Sequence, residues 1–172
     1  GVSEAVIASM VGVTVLAGLA PGGGDASTTY QAGPALSDVA AGDFDGDGDI
    51  DMAAAVPRRS EVVILANKGD GTFAGPVCLL SDSLPIDVAV GDVDADGRID
   101  LVAADEKNSV FVLHRNRGGG TFGPAEFIAG GTLVNFAACV DLDGDGALDI
   151  AGRAVFLNRG DGTFGDPLPP IP

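Results

Sequence analysis

Three copies of one acidic nonapeptide, in phase along the chain, restrict its possible folds more than any other feature. They are Asp43-Phe44-Asp45-Gly46-Asp47-Gly48-Asp49-Ile50-Asp51, Asp92-Val93-Asp94-Ala95-Asp96-Gly97-Arg98-Ile99-Asp100 and Asp141-Leu142-Asp143-Gly144-Asp145-Gly146-Ala147-Leu148-Asp149, whose starts lie 49 and again 49 residues apart. A fixed period of this length means that one supersecondary unit is repeated, each copy carrying the same loop. Carboxylates at loop positions 1, 3, 5 and 9, with glycine at position 6 for a sharp turn, form an oxygen cage suited to a hard divalent cation.

The expected metal-site residues follow by position. They are Asp43, Asp45, Asp47, Asp49 and Asp51; Asp92, Asp94, Asp96, Arg98 and Asp100; and Asp141, Asp143, Asp145, Ala147 and Asp149. Position 7 is expected to offer only its carbonyl, which accommodates Asp49, Arg98 and Ala147 alike. Position 8 (Ile50, Ile99, Leu148) is an apolar anchor that begins the next strand. Oxygen-only ligation favours Ca²⁺ over Zn²⁺, which prefers nitrogen and sulfur, and over Mg²⁺, which keeps more of its water. Three sites are expected. An EF-hand would need Glu at position 12 and flanking helices, whereas that position holds Ala54, Ala103 and Gly152 and strand-like sequence follows. The alternative is an Asp/Gly-rich turn that binds nothing, and it leaves the carboxylates of each turn in uncompensated repulsion.

Charge and composition fit this reading. Formal net charge is -16, and thirteen of the 25 acids belong to the loops, so the charge follows from the sites rather than from a general acidic coat. No basic cluster exists to neutralise phosphates, which disfavours nucleic-acid binding. Hydrophobic residues make up 46% and charged residues 20%, which argues against disorder, and 27 glycines with 10 prolines point to short elements joined by tight turns.

A second motif shares the period. Asn67-Lys68-Gly69-Asp70-Gly71-Thr72-Phe73 recurs from Asn116 to Phe122 and from Asn158 to Phe164, at intervals of 49 and 42. The seven missing residues fall in the third hairpin, which should shrink to a tight turn around Gly152-Arg153. Without a Lys-Ser/Thr ending or a following helix the motif is no phosphate loop; it is expected to be a hairpin turn whose Phe packs between sheets. Each unit then reads as four short strands. The first is Asp38–Asp43, Asp87–Asp92 or Phe136–Asp141, and the second Met52–Val56, Leu101–Ala104 or Ile150-Ala151. The third is Val62–Ala66, Phe111–Arg115 or Ala154–Leu157, and the fourth begins at Phe73, Phe122 or Phe164. The second and third strands are apolar on both faces, as in sheets sandwiched between other sheets.

Ala5–Ala20 is uncharged over sixteen residues, short of the roughly 20 that a bilayer crossing needs, and no basic region precedes it. The repeat accounts for it better: Val13–Leu16 lies 49 residues before Val62–Leu65, and Gly22 the same distance before Gly71. Residues 1–35 are therefore expected to be a degenerate partial unit, followed by repeats over 36–84, 85–133 and 134–172. Membrane insertion is not expected. Cys78 and Cys139 replace apolar residues of other copies and are expected as buried free thiols, with no reason for a disulfide. His114 stands where other copies have Leu65 and Phe156, so a packing role is expected rather than catalysis.

Together these motifs resemble the FG-GAP (VCBS-like) repeat family. Phe73-Ala74-Gly75-Pro76, Phe122-Gly123-Pro124 and Phe164-Gly165-Asp166-Pro167 resemble its name segment, and the acidic nonapeptides its calcium loop. The resemblance implies four-stranded antiparallel blades of a β-propeller like the integrin α-subunit head, with Ca²⁺ in the loop between the first two strands. It also implies an extracellular, secreted or cell-surface setting and a non-enzymatic role in adhesion, ligand binding or scaffolding. The implied partner is a protein or glycan. The alternatives are a non-catalytic propeller portion of an extracellular lyase or hydrolase, and a lectin-like propeller. One His, one Tyr (Tyr30) and no Trp weaken both. The chain departs from the family in its length, about three and a half units of 49 residues, whereas closed propellers need about four to eight blades. A partial or open propeller is expected, completed by self-association or by the remaining blades of a longer chain.

Overall fold

A computed structural model describes residues 5–9, 12–17, 26–70, 72–80, 84–131 and 133–168. Its strands fall into successive antiparallel sheets in chain order. The first is a three-stranded sheet of β1 (Ala5–Ser9), β2 (Gly12–Ala17) and β3 (Ala26–Tyr30). Blade 1 joins β4 (Asp38–Gly42), β5 (Asp51–Val56), β6 (Glu61–Leu65) and β7 (Val77–Leu80) in that order. Blade 2 contains β8 (Pro85–Gly91), β9 (Asp100–Asp105) and β10 (Val110–His114). A small ladder of β11 (Asn116–Gly118) and β12 (Thr121–Phe122) follows before β13 (Glu126–Ala129) closes the blade beside β10. Blade 3 holds β14 (Ala138–Val140), β15 (Asp149–Ala151) and β16 (Val155–Phe156). Apart from a 3-10 turn at Pro57–Arg59, the described residues are all-β, in propeller-type blades that among them do not close.

The two-faced apolar strands explain the stacking. Along β5, Met52, Ala54 and Val56 face one cluster with Ala32 and Phe73, while Ala53 and Ala55 face another with Val88, Leu101 and Val112 of blade 2. β9 repeats this: Leu101 and Ala103 face blade 1, while Val102 and Ala104 face Ile150 and Phe156 of blade 3. Each inter-blade core is thus built from alternate residues of neighbouring sheets, so a blade cannot bury both faces alone. Small residues set the approach: a side chain at Gly91 would collide with Leu148 Cδ1 at 2.7 Å and Cys139 Cβ at 2.9 Å.

Ala5–Ala20 carries strand rather than helix over its described residues, and among the described residues no helix is long and apolar enough to cross a membrane. Gly22 and Gly71 lie outside the described residues. Tyr30, at the end of β3, ties the first sheet to blade 1: the Phe73 N–H meets its hydroxyl at 2.9 Å, and the two rings stack edge-on at 5.3 Å.

Three expectations need correction. The fourth strand does not begin at Phe73, Phe122 or Phe164. Each Phe pairs back onto the Asn that opens its turn, and the strand starts only at Val77 or Glu126, just beyond Pro76 or Pro124, which have no N–H for a ladder. Among the described residues of blade 3 there is no fourth strand, only a single bond from the Leu168 N–H to the Val155 carbonyl at 2.8 Å. Cys78 is exposed rather than buried, because β7 is an edge strand; Cys139 is half-buried, and both thiols are free. His114, by contrast, has the packed position expected of it: it is buried, with Nδ1 3.4 Å from the Gly123 carbonyl.

Candidate metal centres

Each nonapeptide winds tightly because its first carboxylate collects the loop's own amides. Asp43 accepts from the Gly46 and Gly48 N–H groups at 2.7 and 3.0 Å, Asp141 from Gly144 and Gly146 at 2.7 and 3.1 Å, and Asp92 from Asp96 and Gly97 at 3.0 and 2.9 Å. The glycine at position 6 has a left-handed backbone in every copy, at φ 94°, 86° and 93°. Position 4 is left-handed too, a requirement that the sequence reading missed: Gly46 and Gly144 meet it freely, whereas Ala95 is held at φ 58°.

The winding brings carboxylates together. In loop 1, one oxygen each from Asp43, Asp45 and Asp51 lies within 4.8 Å of the others; in loop 3 the same holds for Asp141, Asp143 and Asp149, and in loop 2 for Asp92, Asp94 and Asp96. The remaining site residues stand differently. Asp47 and Asp145 turn an oxygen to the N–H of position 7, at 2.8 Å in both loops. Asp49 leans over Gly69, and Ala147 offers only its backbone. Arg98 does more than present a carbonyl: its guanidinium pairs with Asp96 and its Nε donates to the Asn116 carbonyl at 3.0 Å.

The closing aspartates have a role that the spacing did not disclose. Asp51, Asp100 and Asp149 are fully buried, and each accepts two backbone N–H bonds: from position 2 of its own loop, and from the Asn that opens the glycine-rich turn. Burial pushes the Asp51 carboxyl up and takes Asp100 to about 6, although both amide bonds oppose the shift; nearby loop carboxylates add to it. A nearby positive charge would relieve this.

The same Asn side chains reach across the joints. Asn116 Nδ2 donates to the Ile99 carbonyl of its own blade at 3.0 Å and to the Phe44 carbonyl of blade 1 at 2.8 Å. Asn158 Nδ2 repeats this with Leu148 at 2.9 Å and with Val93 of blade 2 at 2.6 Å. For Asn67, whose preceding unit carries no acidic loop, Nδ2 donates among the described residues only to the Ile50 carbonyl of its own blade, at 3.1 Å. Strand starts add a second tie: Asp38 accepts from the Val88 N–H at 3.0 Å and Asp87 from Ala137 at 2.7 Å. The turn of one blade therefore roofs the acidic loop of the blade before it. A side-chain carbon at Gly120 would lie 3.5 Å from Asp45, and one at Gly162 would collide with Asp94 at 2.8 Å. A cavity of about 170 Å³ at the first joint is lined by Asp43, Asp45, Arg98 and Asn116.

A sequence profile of the FG-GAP-like repeat matches residues 43–103 and again 92–152, each window running from one acidic loop through the next. The chain belongs to the FG-GAP-like repeat family. No curated protein matches it closely enough to report. Among solved structures it is similar to a lectin of Agrocybe aegerita, described for specific recognition of non-reducing terminal N-acetylglucosamine. That likeness has 25% identity and a TM-score of 0.63, over 90% of this chain and 45% of the lectin. The Photorhabdus luminescens Tc holotoxin pore aligns at 22% identity and TM-score 0.51, over 98% of this chain and 9% of that one. A TcdB2–TccC3 structure aligns at 17% identity and TM-score 0.51, over 97% and 9%. The toxin likenesses show the fold alone. This FG-GAP-like chain spans less than half the length of each of these structures.

Proposed function

We propose that this chain is a non-catalytic, calcium-stabilised blade segment of a secreted or cell-surface protein, serving adhesion, ligand binding or scaffolding. The observation that carries the reading is the convergence of three carboxylate oxygens within 4.8 Å in each of the three loops. The donor set fits calcium, being carboxylate oxygen without nitrogen or sulfur. Asp43, Asp45 and Asp51, Asp92, Asp94 and Asp96, and Asp141, Asp143 and Asp149 would hold the ions. A bound cation supplies charge neutralisation, bringing the formal -16 to about -10 with three sites filled. Because the first two loops lie under the turn of the next blade, fixing them also fixes the joints.

Ion binding to the folded form alone stabilises by about 2.7 kcal/mol per site at a hundredfold excess over its dissociation constant. Calorimetric melting in calcium and in chelator tests the proposal: a midpoint several degrees higher in calcium is expected, and identical midpoints refute it. The lectin likeness supports glycan as the ligand class, and binding to an immobilised glycan panel tests that separately. The trailing face of blade 3 is the proposed seat of a further blade, from the same polypeptide or a second copy. There Phe136, Val140 and Leu142 are 45%, 38% and 49% exposed, whereas Phe44 and Val93, the counterparts of Leu142, are each 1% exposed beneath the next blade. Phe136 and Val140 replace the Asp and Gly of the internal joints, so this contact is apolar. The mass in solution, rising with concentration for a second copy, reports on it.

A further inference from the structure

The three loops differ in what lies beside them. In loop 2, Arg98 pairs with Asp96, and Arg115 Nη1 pairs with Asp94 Oδ2 at 3.0 Å, so two of the three converging carboxylates already hold a guanidinium. Neither arginine has a counterpart: loops 1 and 3 have Asp49 and Ala147 in place of Arg98, and Ala66 and Leu157 in place of Arg115. Arg115 is fixed from three sides, since Nε also donates to Glu126 at 3.0 Å and Nη2 to the Gly162 carbonyl of blade 3 at 2.7 Å.

We propose that Arg98 and Arg115 act as resident cations of the middle loop, so that loops 1 and 3 take Ca²⁺ more tightly than loop 2. The inference rests on the calcium reading above and deepens it. A unit positive charge roughly 5 Å from a divalent ion, at a dielectric of about 80, lowers affinity on the order of tenfold. Arg115 is mostly shielded from solvent and acts at that strength; Arg98 is more exposed and adds less. The middle site is weakened rather than abolished, because Asp94 Oδ1 is buried with no hydrogen-bond partner and remains available. As a consequence, the joint between blades 2 and 3 stays tied by Arg115 when calcium is withdrawn. The joint between blades 1 and 2 has Ala66 at that position and lacks this tie, so without calcium it keeps only its apolar core and the Asn116 and Asp38 bonds.

Calcium titration of the metal-stripped chain, by calorimetry with native mass spectrometry for stoichiometry, tests this. Two uptake events are expected, followed by a third at least tenfold weaker. Asp43→Asn and Asp141→Asn should each delete a strong event, and Asp92→Asn only the weak one. Arg98→Ala with Arg115→Leu, the residues that blade 3 carries, should bring the third event up to the others. Should that double variant unfold, the Asp92→Asn result decides alone. Three equal events in the unaltered chain, or loss of a strong event with Asp92→Asn, overturns the arginine role and leaves the calcium reading standing. No uptake at all overturns the calcium reading and this inference together.

Discussion

Replacing Asn116 by alanine separates the joint from the turn, because Asn67 provides an internal control. Asn116 is buried and makes three side-chain bonds: to the Phe44 carbonyl at 2.8 Å, to the Ile99 carbonyl at 3.0 Å, and from the Gly118 N–H at 2.8 Å. Asn67 makes two exposed ones, with Ile50 and Gly69, each at 3.1 Å. A buried bond whose partner is left unsatisfied is worth about 1 kcal/mol or more, and an exposed one about half that. Asn116→Ala should therefore cost about 3 kcal/mol and Asn67→Ala about 1 kcal/mol. Of the difference of about 2 kcal/mol, about half is the bond across the joint and half the deeper burial of the two bonds that both residues share, and the whole should lower the melting midpoint by roughly 4–8 °C more for Asn116→Ala. Urea unfolding followed by far-UV circular dichroism, at fixed calcium and with the slope checked for constancy, measures both. Equal losses at the two positions would show that the amide serves only its own turn and refute the latch.

Ala95→Gly should stabilise the chain by about 0.5–1 kcal/mol, since it relieves a left-handed alanine where the other loops have glycine; unfolding of the variant beside the parent checks this. Val93→Asp, placing an unpaired charge in the second joint, should cost about 4 kcal/mol or more, whereas Leu142→Asp on the open face should stay within about 0.5 kcal/mol in the monomer. His114 is held neutral by burial, with its pKa below the usual value, so its contribution to stability is present above the ordinary histidine pKa and lost as pH falls through the depressed one. His114→Leu should remove that part of the acid-side loss, seen as a shallower fall in melting temperature from pH 7 to pH 5 than in the parent.

Much of the architecture was legible because the repeat superposes independent signals. Spacing placed the loops, and the apolar second and third strands announced burial on both faces, as β5 and β9 show. The site was legible only in part. Convergence of the first and third carboxylates follows from a tight loop, which sequence spacing reports. The closing aspartates' grip on backbone amides of the glycine-rich turn bridges 16 residues in blades 1 and 2 and 9 in blade 3, and the Asn116-to-Phe44 bond bridges 72; no local pattern encodes such pairings. Arg115 was invisible for the same reason, since its partners come from three separate segments. Phe73 misled because pairing back to Asn67 and extending onward look alike in sequence until Pro76 is weighed. Cys78 misled because an edge strand can carry apolar residues without covering them.

The asparagine latch gives the array a direction. Blades 2 and 3 each extend an amide backward to a carbonyl left by the blade before, so blade 2 carries both halves of the same coupling. A duplicate of residues 85–133, spliced in frame after the original, would find a carbonyl waiting and present one in turn. Lengthening by whole modules therefore requires no new contact to be invented, only an old one to be reused.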